Sequence, residues 1–241
     1  MNTDSISYLP KPLPLFSGSA LKIIAVVSMV IDHCAYYLMD DNTMAYEVMR
    51  CFGRIAFPVF AFLVAEGFAH TRNRMRYFLS LLLFAAVSEV PWYLLNGADG
   101  THNVMFTLAL GVSALAVFER LREHRILCCL SILLTAWLAA WLEADYEWRG
   151  VLLIVVFYLL GFGKGKFVTL RRMMQLLFAF PLMMHYGITG ALLACAVIFI
   201  YDGTRGFIHG NVAKYGFYVF YPAHLLLFFL LVSQCFKAMT K

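Results

Sequence analysis

Apolar residues along this chain gather into nine runs, at 19–39, 51–69, 77–95, 104–118, 126–142, 150–162, 172–186, 188–201 and 215–235, with polar residues confined to short connections. About 20 apolar residues carry a helix across a bilayer. Backbone groups in lipid must be satisfied within the spanning segment, which selects helices. The alternation expected of outer-membrane barrel strands is absent. The pattern therefore predicts an all-α, polytopic integral membrane bundle of nine or ten transmembrane helices. It forms a single domain over 1–241, with 1–18 as a polar, Pro-rich N-terminal segment and no secretory signal. Several runs are shorter than 17 residues, so some helices are expected to be tilted, broken or partly re-entrant.

Composition agrees with the pattern. The 241 residues are 62% hydrophobic and 14% charged, whereas a soluble domain carries about 25% charged residues. A net charge of +5 taken alone fits a nucleic-acid partner, but its distribution excludes that reading. Arg72, Arg74 and Arg76 follow the second run, and Arg120, Arg122 and Arg125 the fourth. Lys164, Lys166, Arg171 and Arg172 follow the sixth, and Arg205 and Lys214 the eighth. The alternate connections carry Asp40, Asp41, Glu47, Asp99, Glu143, Asp145 and Glu147. By the positive-inside rule the N-terminus and the basic connections are cytoplasmic. The cysteines show no metal-ligand spacing, and no metal site is expected.

The chemistry is concentrated in charges that lie inside the apolar runs. Asp32 and His33 sit in the first run, with Lys22 eleven positions before His33. A central charge costs ~2.5–3.5 kcal/mol even on the gentler insertion scales, so such residues face a bundle interior or a wet cavity. Eleven helical residues advance ~16 Å and turn about three times, which puts Lys22 and His33 on one face. Asp32-His33 reads either as an ion pair that fixes helix packing or as a general base or proton relay tuned by a carboxylate. Arg54, four residues before Pro58, suits a carboxylate, phosphate or thioester oxygen, or a salt bridge to Asp32 or Glu89. Pro58 is expected to kink its helix and free the Arg54 carbonyl. Glu89, beside Pro91, reads as a base, a contact to a substrate amine, or, as its depth favours, the counter-ion of Arg54. Asp32, His33, Arg54 and Glu89 thus form one expected polar layer near the outer face, and Glu66, Asp202 and Arg205 a second near Lys22. His224, after Tyr221-Pro222, falls between the layers. The Gly161–Lys166 stretch lacks the context of a P-loop and reads as a basic loop able to meet an anionic cofactor through Lys164 and Lys166.

These residues resemble the TraX family, named for a membrane protein that acetylates the N-terminus of conjugative pilin. The resemblance rests on Ala20-Leu-Lys22 leading to Ile31-Asp32-His33, on Gly53-Arg54-x-Ala-Phe-Pro58, and on Glu89-x-Pro91. It continues at Tyr201-x-Gly203-x-Arg205-Gly206 and Phe220-Tyr221-Pro222-x-His224. TraX proteins are in turn similar to a wider transmembrane acyltransferase group, in which a basic residue, ten positions and a histidine occupy the first span; Lys22 to His33 reproduces that interval. The resemblance implies a multi-pass enzyme of the bacterial cytoplasmic (inner) membrane that uses cytoplasmic acetyl-CoA. His33, Asp32, Arg54 and Glu89 would be catalytic, and Lys22, Arg205, Tyr221, His224, Lys164 and Lys166 would hold the donor. The acceptor would be a peptide, glycan or lipid amine or hydroxyl. A competing class is a proton-coupled transporter using the same buried charges, although paired broken helices in repeated halves are not evident. A non-catalytic assembly subunit is a third reading, and a scaffold has little need of so many intramembrane charges.

Overall fold

The computed structural model of this chain describes residues 15–162, 168–208 and 210–239. Among them lie ten helices: α1 (Gly18–Leu38), α2 (Met44–Gly53), α3 (Ala56–His70), α4 (Arg74–Asn96), α5 (Val104–Leu121), α6 (Arg125–Trp141), α7 (Glu147–Leu159), α8 (Val168–Met184), α9 (Ile188–Phe199) and α10 (Gly210–Met239). No strand occurs among the described residues, only two isolated bridges, Phe16 with Tyr201 and His102 with Ala144. Each apolar run holds one helix except the second, which extends back to Met44 and holds two. Five stretches are long and apolar enough to cross a membrane: Gly18–Leu38, Met44–His70, Arg74–Asn96, Val104–Leu121 and Tyr215–Cys235. The helices α6 to α9 are shorter, at 17, 13, 17 and 12 residues.

Local chemistry sets the starts of these helices. Ser17, Thr43, Asn73 and Asn103 each accept a backbone N–H of the following first turn through the side chain, satisfying donors that would otherwise be orphaned. The break inside Met44–His70 falls at Arg54 and Ile55. Pro58 occupies the first turn of α3, where its missing N–H is one of the unpaired donors anyway. The proline therefore begins a new helix instead of kinking an old one, and Arg54 stands at the corner.

The fold is built around α3. Val59, Ala61, Phe62, Ala65 and Phe68 have no exposed surface, as expected of a helix apolar on all sides. Helices α1, α5, α7 and α9 pack against it; α10 closes against α1 and α4, and α6 covers α5 and α7. The outward faces are also apolar: Leu130, Leu133, Trp137 and Trp141 of α6 are all more than half exposed, which suits lipid contact. This is a helical membrane bundle.

Close approaches hold the crossings. A Cβ on Gly53 would lie 2.7 Å from the Cα of Asp32, so α2 meets α1 backbone to backbone. Gly190 does the same for α9 at the Arg54 corner, with the Cys51 carbonyl 3.0 Å from its notional Cβ. At Gly216 of α10 nothing lies within 4 Å. Gly53→Ala should therefore destabilise the protein by about 1–3 kcal/mol through overpacking, while Gly216→Ala should be neutral or stabilising by up to ~1 kcal/mol. Thermal unfolding in detergent checks the pair, and equal melting temperatures for the two variants would contradict the α1–α2 contact.

Candidate functional site

A cavity of about 1170 Å³ runs along the bundle. At one end it is lined by Gly18, Lys22, Tyr201 and Arg205, and at the other by Asp99 and Glu143. On α1 the lining residues are Gly18, Lys22, Val26, Met29, Asp32, His33, Tyr36 and Tyr37, a stripe whose three- and four-residue steps mark one helical face. Lys22 and His33 thus share the wall, as the helical period predicts.

His33 is held from behind by His224. The His33 Nδ1 lies 2.9 Å from the His224 Nε2, and the two rings are nearly parallel, with an interplanar angle of 6°. The edges of Tyr37 and Phe228 close on the His33 ring at centroid distances of 5.7 and 5.8 Å. His224 is buried and does not line the cavity. Its Nδ1 lies 3.1 Å from the Phe220 carbonyl oxygen. A carbonyl only accepts, so that Nδ1 carries the hydrogen. With the ring neutral, the His224 Nε2 then accepts from His33, and His33 Nδ1 is the donor. The remaining His33 nitrogen, Nε2, keeps its lone pair and meets no hydrogen-bond partner among the described residues.

The polar layer at the far end has a different membership from the expected one. Asp32 pairs with Arg50, not Arg54, at 2.6 Å, and its other oxygen is buried without a partner. Arg54 lines the cavity beside Tyr146, with Asp145 and Asp32 as its nearby negative charges. Burial pushes the Asp145 carboxyl up to about 7, against the attraction of Arg54. Tyr146 stacks on Phe57 with ring centroids 3.6 Å apart. It adopts a left-handed backbone with φ 66°, as do Glu143 at 48° and Glu147 at 44°, conformations that cost energy in non-glycine residues and concentrate at functional loops. The loop is held by His102, whose carbonyl accepts the Asp145 N–H at 2.8 Å.

Glu89 does not join this layer. It pairs with the His102 Nδ1 and accepts from the Asn103 side chain at 2.6 Å, and it is absent from the cavity wall. Its role is to clasp the α4–α5 connection, which Asn103 leaves as the cap of α5. At the Lys22 end, Glu66 accepts the Tyr201 hydroxyl and lines the cavity with Lys22 and Arg205. Asp202 instead accepts the Thr204 N–H in its own turn, at 2.6 Å. Arg172, counted among the loop charges, is buried and donates to the Ile198 carbonyl at 2.6 Å. Tyr221 is buried against the cavity, while His224, expected beside the donor, stands one layer back. Lys164 and Lys166 lie outside the described residues.

Arg50, Asp145 and Tyr146 are the site residues that sequence reasoning missed. Arg50 carried a signal, since it precedes Arg54 by four positions and so shares its helical face. Asp145 and Tyr146 sit in a connection, where no periodicity points inward.

Known proteins are similar to this chain over much of its length. A probable fimbrial assembly protein, FimC of serogroup H1 from Dichelobacter nodosus, is 32% identical over 239 residues, covering 88% of this chain and 94% of that protein. An uncharacterized protein, RP591, from Rickettsia prowazekii (strain Madrid E) is 28% identical over 145 residues, 59% of this chain and 53% of its own length. No solved structure matches. The family model described as TraX protein matches residues 17–232, a span that contains the whole cavity wall, and the chain belongs to the TraX family.

Proposed function

We propose that this protein is a membrane-embedded acyltransferase that moves an acetyl group from cytoplasmic acetyl-CoA to an acceptor amine or hydroxyl on a peptide, glycan or lipid. The observation that carries the reading is that His33, with its Nε2 unengaged, lines the same continuous cavity as Lys22 and Arg205. In this reading all nine runs cross the inner membrane, and the basic connections at the Lys22 end face the cytoplasm. The cations at that end suit the phosphates of a nucleotide donor. The ~16 Å between Lys22 and His33 along α1 is comparable to the reach of a pantetheine arm. The fimbrial assembly relative favours a protein amine, such as the N-terminus of a pilin subunit, as acceptor.

The chemistry follows from the atoms available. The acceptor nitrogen or oxygen bonds to the thioester carbonyl carbon while the His33 Nε2 takes its proton. Arg54 is the cation beside the developing oxyanion. Cleavage of the C–S bond returns the proton from Nε2 to the leaving sulfur. Asp32, held by Arg50, fixes the end of α1 that presents His33. The acceptor enters from the Asp99–Glu143 end, past Asp145.

His33→Ala should stay folded and lose acetyl transfer from labelled acetyl-CoA by about 100-fold or more, the scale of general acid–base catalysis. Lys22→Ala should raise the KM for acetyl-CoA several-fold and leave kcat unchanged. Turnover unaltered in His33→Ala would sink the mechanism, and proton-coupled flux independent of acetyl-CoA would establish the transporter class in its place.

Asp145 supplies a pH signature of the acceptor end. Its folded value lies above the ordinary ~3.9 of an aspartate, so the folded state binds that proton more tightly than the unfolded chain. The resulting stabilisation is complete below about pH 4 and is lost as pH rises through about 7. Between pH 4 and 8 the melting temperature of the wild type should therefore fall relative to that of Asp145→Asn. Parallel curves would mean that the carboxyl titrates as an ordinary one.

A further inference from the structure

We infer that His224 is a positioning residue, which selects the tautomer of His33 and holds its Nε2 as the proton acceptor of the transfer step. The inference rests on the acyltransferase reading above. A free imidazole divides its proton between two nitrogens, and only the unprotonated one serves as a base. Here the choice propagates along a chain of contacts. The Phe220 carbonyl, 3.1 Å away, requires a hydrogen on the His224 Nδ1. The His224 Nε2 is thereby left to accept, 2.9 Å from the His33 Nδ1. The hydrogen of His33 goes to Nδ1, and its lone pair to Nε2.

The geometry fits an orienting hydrogen bond better than packing alone. The two ring planes are parallel to within 6°, with centroids 5.0 Å apart, and the closest polar approach between them is the 2.9 Å contact of Nδ1 with Nε2. Phe220, Tyr221 and Phe228 surround the His224 ring at centroid distances of 5.3, 5.2 and 6.2 Å. During transfer the bookkeeping of protons is closed. The acceptor group loses a proton to the His33 Nε2, the carbonyl carbon gains its bond to the acceptor, the C–S bond breaks, and the Nε2 proton passes to sulfur. The His33 Nδ1–H donates to the His224 Nε2 throughout, and the bond becomes charge-assisted while His33 is an imidazolium. A polar acceptor that orients and stabilises an imidazolium is the service that a carboxylate gives in hydrolytic triads.

The test uses the full-length protein in lipid nanodiscs with 15N-labelled histidine, the signals of His33 and His224 being assigned as those lost in His33→Ala and His224→Gln. Protonated Nδ1 and unprotonated Nε2 on His33 are expected, and the reverse assignment overturns the inference without reference to activity. His224→Gln offers an amide oxygen to the His33 Nδ1–H, so it should retain the tautomer and transfer within about 10-fold of wild type. His224→Phe keeps the ring shape without an acceptor. It should move the His33 hydrogen to Nε2 and lower kcat by about 100-fold, with the KM for acetyl-CoA unchanged. Equal kcat values for the Gln and Phe variants overturn the positioning role. A wild-type protein with the expected nitrogen shifts but no transfer from acetyl-CoA overturns the acyltransferase reading, and the tautomer chain then stands as structure alone.

Discussion

Where α1 crosses α2, Asp32 meets Arg50 at 2.6 Å, and the far end of the cavity is arranged around that contact. A carboxylate in this position has no inexpensive alternative. The pair is partly buried, each side chain 16% exposed, and removing one partner leaves the other charge facing the cavity without its counter-ion. The contact demands that the backbones come close, and Gly53 is the residue that lets them. It also demands that α2 end there. Pro58 starts α3 in a new direction, so that Arg50 faces Asp32 while Arg54, at the corner, turns to Tyr146. One ion pair thus commits α1, α2 and the corner of the central helix to a single relative placement.

The charged residues divide by a physical rule that also separates what the sequence could and could not reveal. Nine apolar runs were legible because lipid requires apolar length, and each contains a helix. The shared face of Lys22 and His33 was legible because helix geometry is local, and the α1 stripe along the cavity follows from it. Choice of partner is not local. Glu89 lies at the depth of Arg54, yet it pairs with His102 because the α4–α5 connection folds back over it. Asp32 took Arg50 over Arg54 because the chain breaks after Gly53, a consequence of where Pro58 falls in a helix and not only of its presence. Asp145 reaches the site through a connection with three left-handed non-glycine residues, a path that no period encodes.

His224 shows the same division within one residue. Its place in an apolar run marked it as a candidate, its depth put it between two polar layers, and the family resemblance implied a place beside the donor. The structure sets it behind His33, buried and off the cavity. Depth along a span follows from residue count, but the direction a side chain faces depends on which neighbour the helix meets, and α10 meets both α1 and α4.

The two ends of the α1 stripe are anchored by unlike means, and this makes their separation a fixed length. Near Lys22 the anchor is backbone: the Gly18 N–H donates to the Thr204 carbonyl at 2.7 Å and the Ser19 N–H to the Arg205 carbonyl at 3.0 Å. Gly206, at φ +80°, leaves no room for a Cβ against Ser17 and Ser19, which would lie within 2.8 Å. Near His33 the anchor is the Asp32–Arg50 pair. A helix held at one end can slide or rotate to suit a ligand, but one held at both cannot. One extra residue between the anchors would turn everything beyond it by about 100°, taking His33 off the cavity and away from His224. The interval from Lys22 to His33 therefore acts as a ruler along the cavity. Its length is set by the helical rise, and its two marks share a wall only because both anchors hold.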